Sequence, residues 1–178
     1  MSDFDRAEFK ECYPVAFLMR EHRSDWWFRM HSLPESQRYP ASDEDWGILL
    51  SRHRALADAV LVAGAECRVT YAQFGGFPFP AAKLPNLPWE VFRSINVENE
   101  DLLESWVAPA VWDFDTFEPW IRDRSTCGIA FIGFHSLQTD SVYMPYDGGA
   151  DIFSLRRGVM SEIRNHFSEW KSPLESGL

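Results

Sequence analysis

The strongest periodic signal in the chain lies between Trp46 and Val60. Trp46, Leu49, Leu50, His53, Leu56, Ala57 and Val60 recur every three or four positions, which is one face of an α-helix. Ser42 precedes three acids, Asp43, Glu44 and Asp45. A serine there can cap the free backbone N–H groups, and the acids suit the positive end of the helix dipole. Glu44 misses the capping-box spacing by one, and Asp45 occupies it with a shorter side chain. A helix is predicted over about 43–62, ended by Gly64. A second amphipathic stripe, Val159, Met160, Ile163, Phe167 and Trp170, predicts a C-terminal helix over 156–170.

Alternation with a period of two marks strands. "VAFLMR" (15–20) reads as a buried strand, "HRSD" as a turn and "WWFRMH" (26–31) as the partner strand of a hairpin. On that strand Trp26, Phe28 and Met30 share one face, and Trp27, Arg29 and His31 the other. "ECRVTYAQF" (66–74) is a strand, and "SWVAPAVWDF" (105–114) is extended. "CGIAFIGFH" (127–135), apolar on both faces, is a central strand. "SVYMPY" (141–146), a turn "DGGA" and "DIFSL" (151–155) form a hairpin. Residues 3–12 predict a short helix ended by Pro14, and the D-x-x-E pair Asp115 and Glu118 starts another, containing Trp120 and Ile121. "VFRSINVENEDLL" fits neither pattern cleanly. The stretch 75–89 holds four prolines and two glycines and is expected to run over the surface without helix or central strand. Strands that come as hairpins rather than as βαβ units predict an α+β fold. The expectation is a single domain over 1–178, with a mainly antiparallel sheet packed against a long central helix and a C-terminal helix.

Composition narrows the function classes. Hydrophobic residues are 46% and aromatics 15%, enough apolar surface to offset the entropy of ordering 178 residues, which excludes a disordered chain. Trp26, Trp27, Phe77, Phe79, Trp89 and Trp112 flank turns and loops and are candidate interface anchors as well as candidate core. The net charge of −10 disfavours nucleic acid and anionic lipid and favours a basic protein partner. Three cysteines, at 12, 67 and 127, form no CxxC pair and suggest neither a disulfide framework nor a zinc site. Reduced thiols, an N-terminus without a signal-peptide core and the absence of a 20-residue apolar run predict a cytoplasmic protein with no membrane span and no cofactor. A homo-oligomer using its aromatics as self-interface is compatible with the same totals.

Two segments hold candidate chemistry. "RMHSLPESQRYPASDEDW" (29–46) carries Arg29, His31, Ser32, Arg38 and Tyr39, which could bind a phosphate or carboxylate through arginine forks. His31 and Ser32 are adjacent on a strand, point to opposite faces and are poorly aimed as a base and nucleophile. "PYDGGAD" (145–151) is a turn in which Gly148-Gly149 can take positive φ angles, setting Tyr146 opposite Asp151 and Asp147 opposite Ala150. Its acids, Asp147 and Asp151, could hold a metal or orient a base, but they lack the alternating acids and closing Glu of an EF-hand calcium loop. If both segments meet, Trp27, Arg29, Arg38, Tyr39, Tyr146, Asp147 and Asp151 form a binding site, with His31, Arg38 and Asp147 the candidate catalytic groups of an enzyme. Cys127 and His135, eight residues apart on one predicted strand, would lie roughly 26 Å apart and cannot pair. His53, inside an apolar stripe, reads as a hydrogen-bonded core histidine. The chain has no Walker loop, dinucleotide fingerprint, HExxH or GxSxG motif.

The C-terminal stretch "VYMPYDGGADIFSLRRGVMSEIRNHFSEW" (142–170) resembles the end of a domain-of-unknown-function family of small bacterial proteins. Their pattern there is a strand, a "PYDDRGMD"-like turn and an amphipathic helix ending near a tryptophan. The matching residues are Pro145, Tyr146, Asp147, Gly149 and Asp151, while Gly148 stands where that pattern carries an acid or arginine. The resemblance implies a bacterial, cytosolic α+β domain and brings no activity with it. By analogy with immunity proteins of similar size and composition, the expected function is a non-enzymatic binding module that inhibits a basic toxin or enzyme. The alternative is a small enzyme or ligand-binding domain with its site between 29–39 and 146–151.

Overall fold

The computed structural model describes residues 12–22, 26–77, 79–80, 84–97, 102–127 and 130–171. Its frame is one seven-stranded antiparallel sheet. The strands are β1 (Trp27–His31), β2 (Glu66–Phe74), β3 (Glu90–Asn96), β4 (Leu102–Val111), β5 (Phe131–Ser136), β6 (Ser141–Tyr146) and β7 (Gly149–Ser154). Their order across the sheet is β1-β7-β6-β5-β2-β4-β3, with every pair antiparallel. Four helices complete the α+β fold: α1 (Ala16–His22), α2 (Asp43–Leu61), α3 (Phe114–Cys127) and α4 (Arg157–His166).

The alternation of side chains divides the sheet into two buried faces. Phe28, Met30, Val69, Phe134, Tyr143 and Ile152 point to the side where Leu56, Val60, Trp112, Phe117, Ile121, Met160 and Ile163 pack. On the opposite side Val142, Met144 and Phe153 meet Cys12, Tyr13 and Met19, and Leu103 and Ile95 meet Val15. Burial on both faces explains the largely apolar composition of β5, β6 and β7, whose residues are almost all inaccessible. β5, fourth of the seven strands, is central as expected.

The long helix follows its sequence signals closely. Ser42 is extended, and its hydroxyl accepts the Asp45 N–H at 3.2 Å. Asp45 Oδ2 in turn accepts the Ala41 N–H at 2.8 Å, one residue before the cap. Gly64, at φ +77°, follows the end of the helix.

Several expectations are corrected. "VAFLMR" is not a strand: Ala16–His22 is helical, and Val15 C=O accepts the Met19 N–H at 3.0 Å. Ala, Leu, Met, Arg and Glu are strong helix formers. The segment looked like a strand because it is wedged against a sheet face and its apolar positions do not alternate. β1 therefore pairs with β7, and its other side makes a single bridge, Met30 to Lys171. "CGIAFIGFH" divides, with Cys127 closing α3 and the strand starting at Phe131, so the predicted 127–135 span was too long. The cap of α3 is Asp113 rather than Asp115: its carboxylate accepts Thr116 N–H at 3.0 Å and Thr116 Oγ1–H at 2.6 Å. The ambiguous stretch is β3 over Glu90–Asn96. The described part of 75–89 has neither helix nor strand, yet Phe79, Leu84, Leu87 and Trp89 pack on the core, and Trp89 stacks on Trp120 with centroids 6.0 Å apart. The expected helix over 3–12, apart from its last residue, and most of the turn at 22–25 lie outside the described residues.

Candidate functional site

β1 and β7 pair so that Arg29 stands directly opposite Asp151. Both point to the face covered by α1, and both are almost inaccessible, at 4% and 1% of side-chain surface. The guanidinium grips the carboxylate with two bonds of 2.8 Å, Nε to Oδ1 and Nη2 to Oδ2. The indole of Trp27 donates a third, to Oδ1 at 2.7 Å. A planar fork on a carboxylate is the strongest ion-pair geometry available to side chains. Burial pushes the Asp151 carboxyl above its ordinary pKa, against the downward pull of Arg29 and Trp27. The Arg29 guanidinium also lies over the Tyr146 ring, 4.3 Å from its centroid.

The turn that presents these groups differs from the sequence expectation. The last paired residues are Tyr146 and Gly149, so Asp147-Gly148 forms the two-residue turn and Met144 faces Asp151. Positive φ falls on Gly148, at +96°, and not on Gly149. Gly149 is needed for another reason. A Cβ there would sit 2.0 Å from the Met30 carbonyl oxygen and 2.7 Å from the Tyr146 hydroxyl oxygen. The Gly149→Ala variant is therefore expected to lose about 3 kcal/mol, because strand pairing and the Tyr146 ring must both yield. Urea denaturation checks this, and a loss near zero would contradict the close packing.

The segment 32–42 folds back onto this hairpin. Ser32 N–H donates to Gly148 C=O at 2.9 Å. Arg38 Nη2 donates to Asp147 Oδ2 at 2.5 Å, and the Tyr39 hydroxyl donates to the same oxygen at 3.1 Å. The stem of Arg38 lies against Gly148, 3.2 Å from where a Cβ would be. The segments 29–39 and 146–151 are thus in contact. Between them Arg29, His31, Arg38, Tyr146 and Asp147 line a pocket of about 220 Å³. Apart from Ser32, the candidate residues named from the sequence gather here, at one end of the sheet: Trp27, Arg29 and Asp151 in the buried ion pair, with Tyr146, Arg38, Tyr39, Asp147 and His31 beside it.

Sequence reasoning missed a second polar chain. Ser32 points away from His31 and into the opposite face, where its Oγ lies 2.7 Å from His53 Nε2. His53 Nδ1 lies 2.5 Å from the Tyr143 hydroxyl. All three side chains are fully buried. Desolvation lowers the His53 pKa to about 3 and pushes Tyr143 far above its usual value. A neutral imidazole donates from one nitrogen and accepts at the other, so the hydrogen bonds run one way along the chain. The pair has the atoms of a base and a nucleophile, but no substrate reaches it. The one signal in the sequence was the histidine inside an apolar stripe. Cys127 and His135 do not share one strand, since Cys127 is at the end of a helix. Among the described residues, no group of three His, Cys, Asp or Glu could hold a metal ion. None of the described helices is long and apolar enough to cross a membrane.

Comparison with known proteins adds the decisive observation on kinship: the sequence model of a family described as Domain of unknown function (DUF3885) matches residues 15–175. The chain belongs to that family. No curated protein and no solved structure matches it. Among the described residues of this DUF3885 chain, the matched span takes in the four α-helices and the seven strands, so the Arg29–Asp151 pair and the folded-back 32–42 segment both lie within it.

Proposed function

We propose that this DUF3885 chain is a non-enzymatic protein-binding module of a bacterium, acting in the cytoplasm as an immunity-type inhibitor of a basic toxin or enzyme. The observation that carries the reading is the surface at the β3 side of the sheet. Among the described residues, strand β3 has a neighbour on one side alone, β4. Along and beside it stand Val91, 78% exposed, and Phe77, 60% exposed, with Phe74 and Leu102 also open to solvent. Gly75 N–H bonds Leu102 C=O at 2.6 Å and Gln73 Nε2 bonds Phe77 C=O at 2.8 Å, which holds Phe74, Phe77 and Leu102 at one end of β2 and β4, while Val91 lies further along β3, opposite Trp106. Glu90 and Glu104 flank them, and Glu98, Glu100 and Asp101 directly precede β4 in the sequence. An apolar centre beside acids is the composition of an interface for a basic protein, with the acids accelerating encounter and the aromatics holding the complex. Two of the groups first considered for catalysis, Arg38 and Asp147, support the same reading, because they neutralise one another, and Ser32 is sealed in the core against His53.

The test is capture from the source organism's lysate at low salt, comparing the wild type with two variants. One is Phe77→Ala. The other reverses Glu98, Glu100 and Asp101 to lysine. A basic protein encoded beside this chain should be retained by the wild type. Its association should slow about tenfold on charge reversal and lose salt dependence, and Phe77→Ala should weaken it by about 1–2 kcal/mol. If no basic protein distinguishes wild type from variants, the reading fails.

A ligand-binding domain is the second reading, favoured by the contact between 29–39 and 146–151 and the pocket between them. It would require Arg38 to exchange Asp147 for a ligand anion.

A further inference from the structure

The way β3 lies against β4 decides which of its backbone groups face outward. Beyond a bulge between Val91 and Arg93 the pairing is regular: Arg93 stands opposite Ser105, Ser94 opposite Glu104, Ile95 opposite Leu103 and Asn96 opposite Leu102. The Ser105 hydroxyl donates to Arg93 C=O at 2.7 Å, and the Arg93 N–H donates to Ser105 Oγ at 3.3 Å. Arg93 therefore turns both backbone groups toward β4. Successive residues of a strand turn theirs to opposite sides, so Ser94 and Asn96 each present an N–H and a C=O at the outer edge. Both residues are exposed, and among the described residues no strand pairs with that edge. Natural sheets commonly blunt such an edge with lysine, proline or a bulge. β3 holds no lysine and no proline, and its bulge lies before the regular stretch. The guanidinium of Arg93 lies over the Phe92 ring, 4.0 Å from its centroid, on the face where Tyr13 packs.

We infer that the edge of β3 over Arg93–Asn96 takes up an extended segment of the partner as an added strand, with basic and apolar side chains in alternation. This rests on the protein-binding reading above and adds how the partner is held. Main-chain hydrogen bonds to Ser94 and Asn96 give the attachment, and side chains on the two faces give the choice. Ser94, Asn96, Glu104, Leu102, Val91 and Trp106 share one face by their register. An added strand would lie about 10 Å from β4, at roughly 4.8 Å per strand, so a lysine or arginine on that face can reach Glu104. The other face carries Ile95 and Arg93, where a second cation is repelled and an apolar residue fits. Glu90 opens the strand, and Glu98, Glu100 and Asp101 follow it in the sequence, so the charge around the edge also favours a basic segment. A second copy of this chain fits less well. Two β3 edges paired about a two-fold axis would set Glu90 of each copy at the end that those acids follow in the other, and would join two chains of charge −10.

The experiment titrates the full chain, with its nitrogens isotopically labelled, against a short peptide of alternating lysine and valine. The same peptide methylated at every backbone nitrogen, and a peptide of alternating glutamate and valine, serve as comparisons. Backbone N–H signals and their hydrogen exchange are followed by NMR. The lysine–valine peptide should bind saturably, at least about tenfold more tightly than either comparison. It should slow exchange at Ser94 and Asn96 about tenfold, while β1 at the opposite side of the sheet keeps its rates. The methylated peptide has the same charge, so its loss of binding isolates the backbone bonds. Ser94→Pro removes an outward N–H and should weaken binding about tenfold; if that variant does not fold, the methylated peptide still decides. The inference is overturned by an absence of saturable binding, by equal binding of the methylated peptide, or by protection at β1 in place of β3. Self-association of the protein alone, with protection of Ser94 and Asn96, would assign the edge to a second copy and overturn it as well. If the lysate yields a basic partner that depends on Phe77 but is held equally by Ser94→Pro and leaves exchange at Asn96 unchanged, the protein-binding reading stands and the added strand is overturned.

Discussion

Replacing Asp151 with alanine should destabilise the fold by about 3–5 kcal/mol, the range for removing one partner of a buried ion pair. Arg29 would be left with a full charge, 4% of its side chain exposed and its two acceptor oxygens gone. Trp27 would also lose the acceptor of its indole N–H. Asp151→Asn keeps the shape and one acceptor oxygen and should fall between the wild type and Asp151→Ala. The double variant Arg29→Met with Asp151→Leu removes both charges at similar volume and should recover most of the loss, because desolvating the pair offsets much of its attraction. Urea denaturation of the four proteins makes the comparison. A cost below about 1 kcal/mol for Asp151→Ala would mean that water reaches the site and that the pair behaves as a surface contact. The pair sits where the hairpin, β1 and α1 converge, so its loss should also loosen the contact of 32–42 with the turn.

Much of this arrangement was legible in the sequence wherever local rules and tertiary packing agree. The cap at Ser42, the stripe from Trp46 to Val60 and the span of β2 follow from periodicity and side-chain chemistry, and the structure repeats them with changes of a residue or less. The assignment of Trp27, Arg29 and His31 to one face follows from alternation alone and places Arg29 correctly across from β7. Where the reading went astray, a long-range contact decided. "VAFLMR" is apolar because it lies against a sheet, and a buried short helix and a buried strand have the same composition. Gly148-Gly149 offers two equally flexible positions. The Met30 carbonyl oxygen, on another strand, comes so close that it excludes any side chain at position 149, a contact that local sequence does not show. The aromatic surplus was largely core, since Trp112 is fully buried and stacks on Phe117 at 5.7 Å, while Phe77 remains exposed. The Ser32–His53–Tyr143 chain joins residues 21 and 90 positions apart, and no local pattern could reveal it.

That chain makes stability depend on pH, with a sign that can be worked out. His53 is neutral in the fold, with its pKa lowered from 6.5 to about 3 by burial. The unfolded chain takes up a proton near pH 6.5, whereas the folded protein resists until about pH 3. Its contribution to stability is therefore fully present above pH 6.5 and is lost as the pH falls toward 3. At 1.36 kcal/mol per unit, the whole loss across that window is on the order of 5 kcal/mol. His53→Gln should be less stable than the wild type at pH 7.5 by about 1–3 kcal/mol, since it disturbs the bonds to Ser32 and Tyr143. Between pH 6.5 and 4 its stability should fall much less steeply, so the two proteins converge. The carboxylates titrate in both, and subtracting one urea series from the other removes their share. Parallel curves would show that His53 does not carry the pH dependence and that its buried site admits a proton in the native state. Convergence would show that an inaccessible histidine, with the atoms of a catalytic base, serves here as a neutral hydrogen-bonding link between α2, β6 and the start of the 32–42 segment.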